Sequence, residues 1–148
     1  MTAYNKYDSI GFLLYNTARA MSCFFNQTLK EHGYELTVEH WGILINLAEQ
    51  DGNTQTGLCG CIGKDKTYMT RLLDQLEKDK MVERRSDNQD RRNKKIYLTE
   101  KGKEIQNELV FVVKENILAE ASKDFSSQEL ETLKFLLKKL HQNINPKN

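Results

Sequence analysis

The stretch VERRSDNQDRRNKKIYLTEKG, residues 82–102, decides how the rest of the chain is read. Val82, Arg84 and Ser86 alternate with Glu83, Arg85 and Asp87. Beyond a polar turn, Ile96 and Leu98 alternate with Lys95, Tyr97 and Thr99. A period of two on either side of turn-forming residues predicts a two-stranded hairpin with a long polar tip. The hairpin carries two arginine pairs, Arg84-Arg85 and Arg91-Arg92, and Thr99 then opens a helix as its N-cap. So much positive charge on one projection needs either a negative partner or only solvent, and the flanking sequence distinguishes the two.

Upstream the period is helical. Ile10, Leu13, Leu14, Ala18, Met21, Phe25 and Leu29 form a stripe over residues 8–31, which Gly33 ends. Thr37 is an N-cap candidate for a second helix with Val38, Trp41, Leu44, Leu47 and Ala48 on one face. After the turn Asp51-Gly52-Asn53, Thr54 caps a short third helix carrying Leu58, Cys59 and Ile62. Asp65 caps a fourth that runs to about residue 79. Downstream, the helix begun at Thr99 has Ile105, Leu109, Val112 and Val113 inward. Ser126 and Glu129 form a capping box for the last helix, whose Leu130, Leu133, Leu137, Leu140 and Ile144 make a heptad seam. The single proline, Pro146, interrupts none of these helices.

The 148 residues suit one domain with a real core, and 39% hydrophobic against 29% charged residues mark a soluble globular chain. No apolar run approaches the ~20 residues of a membrane span, and the N-terminus lacks a signal-peptide pattern. With three cysteines in no scaffold spacing, a cytoplasmic location is expected. The net charge of +1 conceals a segregation. Residues 64–103 hold 13 basic and 8 acidic side chains, and the remainder has an acidic excess. A basic centre in an acidic frame suits a polyanion partner.

Short helix, turn, second helix and basic hairpin is the layout of a winged helix-turn-helix, here over residues 37–99. Residues 1–36 and 100–148 supply flanking dimerisation helices within a single domain spanning residues 1–148. The fold class is mainly α with a small β-hairpin. In DKTYMTRLLDQLEKDK, Met69, Leu72, Leu73 and Leu76 face inward. Lys66, Thr67, Tyr68, Thr70 and Arg71 fall in the N-terminal half and largely outside that face, where they can reach phosphates or base edges. Arg91 and Arg92 sit at the hairpin tip, suited to a narrow minor groove, and Asp90 is expected to hold one of them by a bidentate pair.

The run LTVEHWGILINLAEQDGNTQTGLCGCIGKDKTYMTRLLDQLEKDKMVERRSDNQDRRNKKIYLTEKG resembles the multiple-antibiotic-resistance regulator (MarR) family, most specifically in TRLLDQLEKDKMVERR, DRR and LTEKG. The resemblance implies a homodimeric transcriptional regulator, usually a repressor. Such a regulator acts on double-stranded DNA with a pseudo-palindromic operator and is often released by a small phenolic or anionic effector. It also implies that Arg71 and Arg92 contact DNA, that Asp90 partners Arg92, and that Thr67 and Thr70 fill the hydroxyl positions. The chain departs from the family at Lys80, where glycine is usual, at Lys64, where a hydrophobic residue is usual, and at Gly57 and Gly60, which weaken a short helix.

For an effector, Tyr15, Arg19, His40 and Trp41 are candidates where the first, second and fifth helices meet. A redox- or metal-responsive regulator is an alternative reading. The position of a peroxide-sensing cysteine in IGFLLY is Gly11, however, and Cys23, Cys59 and Cys61 read as buried or half-buried fillers. Glu39-His40 matches a zinc-sensing pair, but Ser22 and Thr28 stand where further ligands belong, so no metal is expected. A protein-interaction winged helix would not need basic residues on both helix and hairpin. His32, His40 and His141 are scattered with no nucleophile–base pattern, so neither catalytic activity nor a cofactor is expected.

Overall fold

The computed structural model describes residues 5–146. After a short 3-10 turn, α1 (Ile10–Glu31) starts at Ser9, whose Oγ accepts the Phe12 N–H at 3.3 Å. Then follow α2 (Val38–Glu49), β1 (Asn53–Thr54), α3 (Gln55–Ile62) and α4 (Lys66–Lys78). The hairpin comprises β2 (Val82–Ser86) and β3 (Lys94–Leu98). Last come α5 (Glu100–Val112), continued through a π-helical segment Val113–Leu118 into Ala119–Ala121, and α6 (Ser127–Ile144). Mostly helical with a winged helix-turn-helix, this is the expected class. Among the described residues no helix is long and apolar enough to cross a membrane.

Two elements depart from the sequence reading. The sheet has three antiparallel strands in the order β1-β3-β2, because Asn53 and Thr54 pair with Ile96 and Lys95. Asn53, expected as the last residue of a turn, and Thr54, expected only as a helix cap, are thus strand residues. The π-helical stretch is the second, its hydrogen bonds spanning one residue more than those of an α-helix, which the apolar periodicity of α5 conceals.

The capping residues act as their chemistry requires. Asp65 Oδ1 accepts from Tyr68 N–H at 2.8 Å, Thr54 Oγ from Gly57 N–H at 3.1 Å, and Thr99 Oγ from Gly102 N–H at 3.0 Å. The Ser126–Glu129 box closes reciprocally, at 3.1 and 2.8 Å. At the end of α4, Lys80 itself adopts the left-handed conformation, with φ of 60°, where the family pattern has glycine. The Met81 N–H then reaches back to Leu76 O at 2.8 Å, so the helix does close through a left-handed residue, at a steric cost of about 1–2 kcal/mol to a side chain with a Cβ.

The core runs through Leu44, Leu47, Leu58, Met69, Leu73, Leu76, Ile96, Leu109 and Ile117. It therefore lies among α2 to α5 and the hairpin. From α1 only Phe25, Thr28 and Leu29, in the last two turns, are buried. No residue of α6 is buried at all. Ala48, expected on the inner face of α2, is exposed.

Two glycines should respond oppositely to alanine. A Cβ on Gly102 would lie 1.9 Å from the Met81 carbonyl oxygen, a backbone atom, whereas one on Gly60 meets nothing within 4 Å. Gly102→Ala is expected to cost about 1–3 kcal/mol by overpacking. Gly60→Ala should add up to about 1 kcal/mol through helix propensity. Urea unfolding monitored by circular dichroism checks both signs.

Candidate nucleic-acid interface

The N-terminal half of α4 faces outward because its inner side is filled by Met69, Leu72, Leu73 and Leu76. Lys66, Thr67 and Arg71 are exposed, and Tyr68 and Thr70 are half-buried. Thr70 is already engaged. Its hydroxyl donates to Lys66 O at 2.9 Å and accepts from Gln55 Nε2 at 2.7 Å. Gln55, not singled out from sequence, thereby ties the start of α3 to the start of α4, which leaves Thr67 as the free hydroxyl of the pair.

The hairpin is held against α4 by Arg84. Its guanidinium bonds Asp74 at 2.7 Å and Glu77 at 2.5 Å, two carboxylates one turn apart on α4. The Glu77 carboxylate also accepts the Arg84 backbone N–H at 3.3 Å. Arg84 is mostly buried, with a side-chain exposure of 15%, so this arginine is structural. Arg85 pairs with Glu83 and lies over the Tyr97 ring, 4.4 Å from its centroid. One basic pair of the hairpin is thus consumed within the fold.

The other pair is presented at the tip. Asp90 Oδ1 accepts the Arg92 backbone N–H at 2.9 Å, and Asn93 N–H donates to Asp90 O at 3.0 Å. Asp90 therefore shapes the turn through the backbone and does not grip a guanidinium as expected. The i to i+2 geometry brings its carboxylate to the nearer donor, the main-chain N–H. Arg91 and Arg92 are both exposed.

Helix and wing converge. Lys66 from α4, Arg92, Asn93 and Lys94 from the wing, and Thr54 and Thr56 at the start of α3 line one cleft of about 190 Å³, with no carboxylate on its wall. Lys94, Thr54 and Thr56 were missed from sequence. Their only signal was hydroxyl or basic character beside a turn.

The four effector candidates do not gather around one cavity in the described chain. Tyr15 and Arg19 are exposed on α1, Tyr15 at 69%, and Trp41 is half-buried. His40 is buried and lines a different cleft with Thr37, Tyr68, Arg71, Leu72 and Gln75. Of the cysteines only Cys59 is half-buried. Cys23 and Cys61 are exposed, contrary to the filler role expected, because their helix faces lie outside the core.

This arrangement of helices and wing is that of a winged helix-turn-helix protein. Residues 36–94 match the MarR family. The chain is similar to a probable transcriptional regulator from Pseudomonas aeruginosa, at 26% identity and a TM-score of 0.82 over 92% of this chain and 99% of that one. A cysteine-to-serine variant of MarR from E. coli, complexed with operator DNA, is similar at 24% identity and a TM-score of 0.82, covering 95% and 99% of the two chains. Bordetella bronchiseptica BpsR, whose DNA binding is regulated by 6-hydroxynicotinic acid, shares the fold at 21% identity and a TM-score of 0.83, covering 93% and 96%. The MarR family match thus falls on the winged helix-turn-helix region, and the chain as a whole shares its fold with transcriptional regulators.

Two consequences can be measured. Arg84→Ala leaves Asp74 and Glu77 facing each other without their cation and should lower stability by about 1–2 kcal/mol. Arg84→Lys, unable to fork between two carboxylates, should recover only part of that. The second concerns His40. Burial lowers its pKa in the fold, against the opposing pull of Glu39 and Asp79. As pH falls below about 6.5, the unfolded chain takes up the proton first. The stability contributed by neutral His40 is present above that pH and is lost as pH drops toward the lowered folded value. A thermal-melt series over this range should show the loss in the wild type and a flatter profile in His40→Gln.

Proposed function

We propose that the chain is a sequence-specific DNA-binding transcriptional regulator that acts as a homodimer, most simply as a repressor, and has no catalytic role. The observation that carries this reading is the cleft lined by Lys66 of α4 and by Arg92 and Lys94 of the wing, with no carboxylate among its lining residues. A helix presenting Lys66, Thr67, Tyr68 and Arg71 to a major groove, with Arg91 and Arg92 following the backbone into the adjacent minor groove, uses both basic surfaces at once. A protein-interaction role would leave that two-part convergence unused.

The homodimer reading rests on two apolar faces that the single chain leaves open. Ile10, Leu13 and Leu14 of α1 and Leu133, Leu136, Leu137 and Leu140 of α6 line a groove of about 480 Å³. Ile10, Leu13 and Leu14 are 64%, 48% and 36% exposed. A second copy, laying the same two helices against these, closes both faces by two-fold symmetry. Residues 5–36 and 100–146 then form the dimerisation unit, and residues 37–99 form the reader. Two readers related by a dyad suit a pseudo-palindrome with half-sites about one turn (~10 bp) apart.

Arg92→Ala and Arg71→Ala should each weaken DNA binding by about 1–3 kcal/mol per half-site with fold and mass unchanged, whereas Arg91→Ala should do less. Loss of a phosphate contact should lower the salt slope by about one per site. Titration of the protein's own promoter at two salt concentrations measures these effects. Unchanged affinity and slope for Arg92→Ala would overturn the wing assignment, and a monomeric mass by light scattering at micromolar concentration would overturn the dimer.

A further inference from the structure

We propose that Gln55 sets what α4 reads in DNA. It holds the Thr70 hydroxyl so that toward a base this group can only accept a hydrogen bond, which selects an amino base, adenine or cytosine, over a keto base, guanine or thymine. The inference rests on the DNA-binding reading given above and names what one position of that surface recognises.

The protons in this arrangement are fixed by chemistry. Gln55 Nε2 lies 2.7 Å from Thr70 Oγ and 3.2 Å from the Lys66 carbonyl oxygen. A carbonyl can only accept, so the amide atom facing it is the nitrogen, and the Gln55 side chain has one orientation. Thr70 Oγ lies 2.9 Å from the same carbonyl, so its single proton goes there. One of its two lone pairs takes the Gln55 N–H, which leaves one lone pair and no proton. Thr70 is half-buried, one turn along α4 from the exposed Lys66 and Thr67 and next to the exposed Arg71.

A threonine without such a partner does not discriminate. Toward a base its hydroxyl serves as donor or acceptor, and in a helix its side chain divides between two χ1 rotamers. Gln55 removes both freedoms. Donation into the hydroxyl strengthens the hydroxyl's own donation to Lys66 O. A change of rotamer would break the Gln55 bond as well as the Lys66 bond. An amino group therefore adds a hydrogen bond to Thr70 as it stands, whereas a base carbonyl or a phosphate oxygen must first take one away. Gln55 opens α3, 15 positions before Thr70, so a side chain outside α4 controls what α4 reads.

The consequence in the groove is specific. Every base pair carries one amino group in the major groove, N6 of adenine or N4 of cytosine, and a carbonyl on the partner base. An acceptor held in one place selects the strand on which the amino base stands.

The test starts from selection of a randomised DNA duplex library by the full-length protein. Wild type should enrich a motif in which one position per half-site is restricted to adenine or cytosine. Purine in place of that adenine, or 2-pyrimidinone in place of that cytosine, deletes the amino group alone. The deletion should weaken wild-type binding about three- to tenfold, the worth of one hydrogen bond, and should cost Thr70→Val nothing. Thr70→Ser, which retains the hydroxyl, should keep the wild-type preference. Gln55→Met keeps the length of the side chain without its N–H. It should retain the rest of the motif but admit guanine or thymine at this position, the amino-over-keto ratio falling about threefold or more. An unchanged Gln55→Met motif, or affinity lowered equally at every position, makes Gln55 a structural tie and overturns the proposal. An amino deletion felt equally by wild type and Thr70→Val, or a preference lost in Thr70→Ser, overturns it too. If wild type enriches no motif, the DNA-binding reading itself fails and this inference falls with it, so the wild-type selection tells the two failures apart.

Discussion

The backbone carbonyl of Met81 is the point through which the parts of this protein are joined. It follows the left-handed Lys80 that ends α4, and it accepts the Thr99 N–H at 3.1 Å. The Thr99 hydroxyl meanwhile donates to Lys80 O at 2.6 Å. Gly102 lets the first turn of α5 come so close that a Cβ would meet the same carbonyl at 1.9 Å. The end of α4, the first strand of the wing and the start of α5 therefore share one contact. None can tilt alone without breaking hydrogen bonds or opening a gap beside the core residue Leu98.

Arg84 extends that rigidity along the wing. Its fork on Asp74 and Glu77 bridges strand β2 to the solvent side of α4, with Arg84 mostly shielded from water. A pair of this kind contributes less through raw attraction than through geometry, because two carboxylates one helical turn apart accept the guanidinium in only one orientation. The basic residues of the hairpin are thereby divided by depth. Arg84 and Arg85 near the base hold the wing, while Arg91 and Arg92 at the tip, shaped by Asp90 through the backbone, remain free for a ligand. The place of Arg91 and Arg92 at the tip was legible in the sequence, whereas the carboxylates that hold Arg84 lie on α4, seven and ten positions away, and were not.

Other features were legible for reasons of range. Ser126 with Glu129, Asp65, Thr54 and Thr99 are caps whose partners lie within three residues, so spacing alone identified them. The inner faces of α4 and α5 followed from periodicity, and the reader followed from element order. What the sequence concealed depends on contacts between distant segments. Strand β1 exists because Asn53 and Thr54 find β3, and because Asp51 Oδ1 accepts the Leu98 N–H at 3.0 Å across 47 positions. Asp90 was assigned the wrong atom of its neighbour because sequence shows a charge and not the nearer main-chain donor. Tyr15, Arg19, His40 and Trp41 were grouped by chemical type, and the fold turns His40 toward α4 and leaves Tyr15 outside. Periodicity shows that a face is buried but not which helix buries it.

The distribution of the core separates two ways of controlling such a protein. Leu44, Leu58, Met69, Leu73 and Ile96 give the reader its own interior, and Leu109 and Ile117 anchor it to α5. The outer face of α1 and all of α6 contribute no buried residue to that interior. In the homodimer proposed here, those outer faces are completed by a second copy. A change in their packing would move two intact readers relative to each other, altering the spacing of the half-sites they can span without altering any single contact. On the DNA-binding reading proposed here, a change at Arg71 would do the reverse, leaving spacing alone and removing a contact. The junction at Met81 bears on both modes, since it ties the start of α5 to the end of α4 and to the base of the wing.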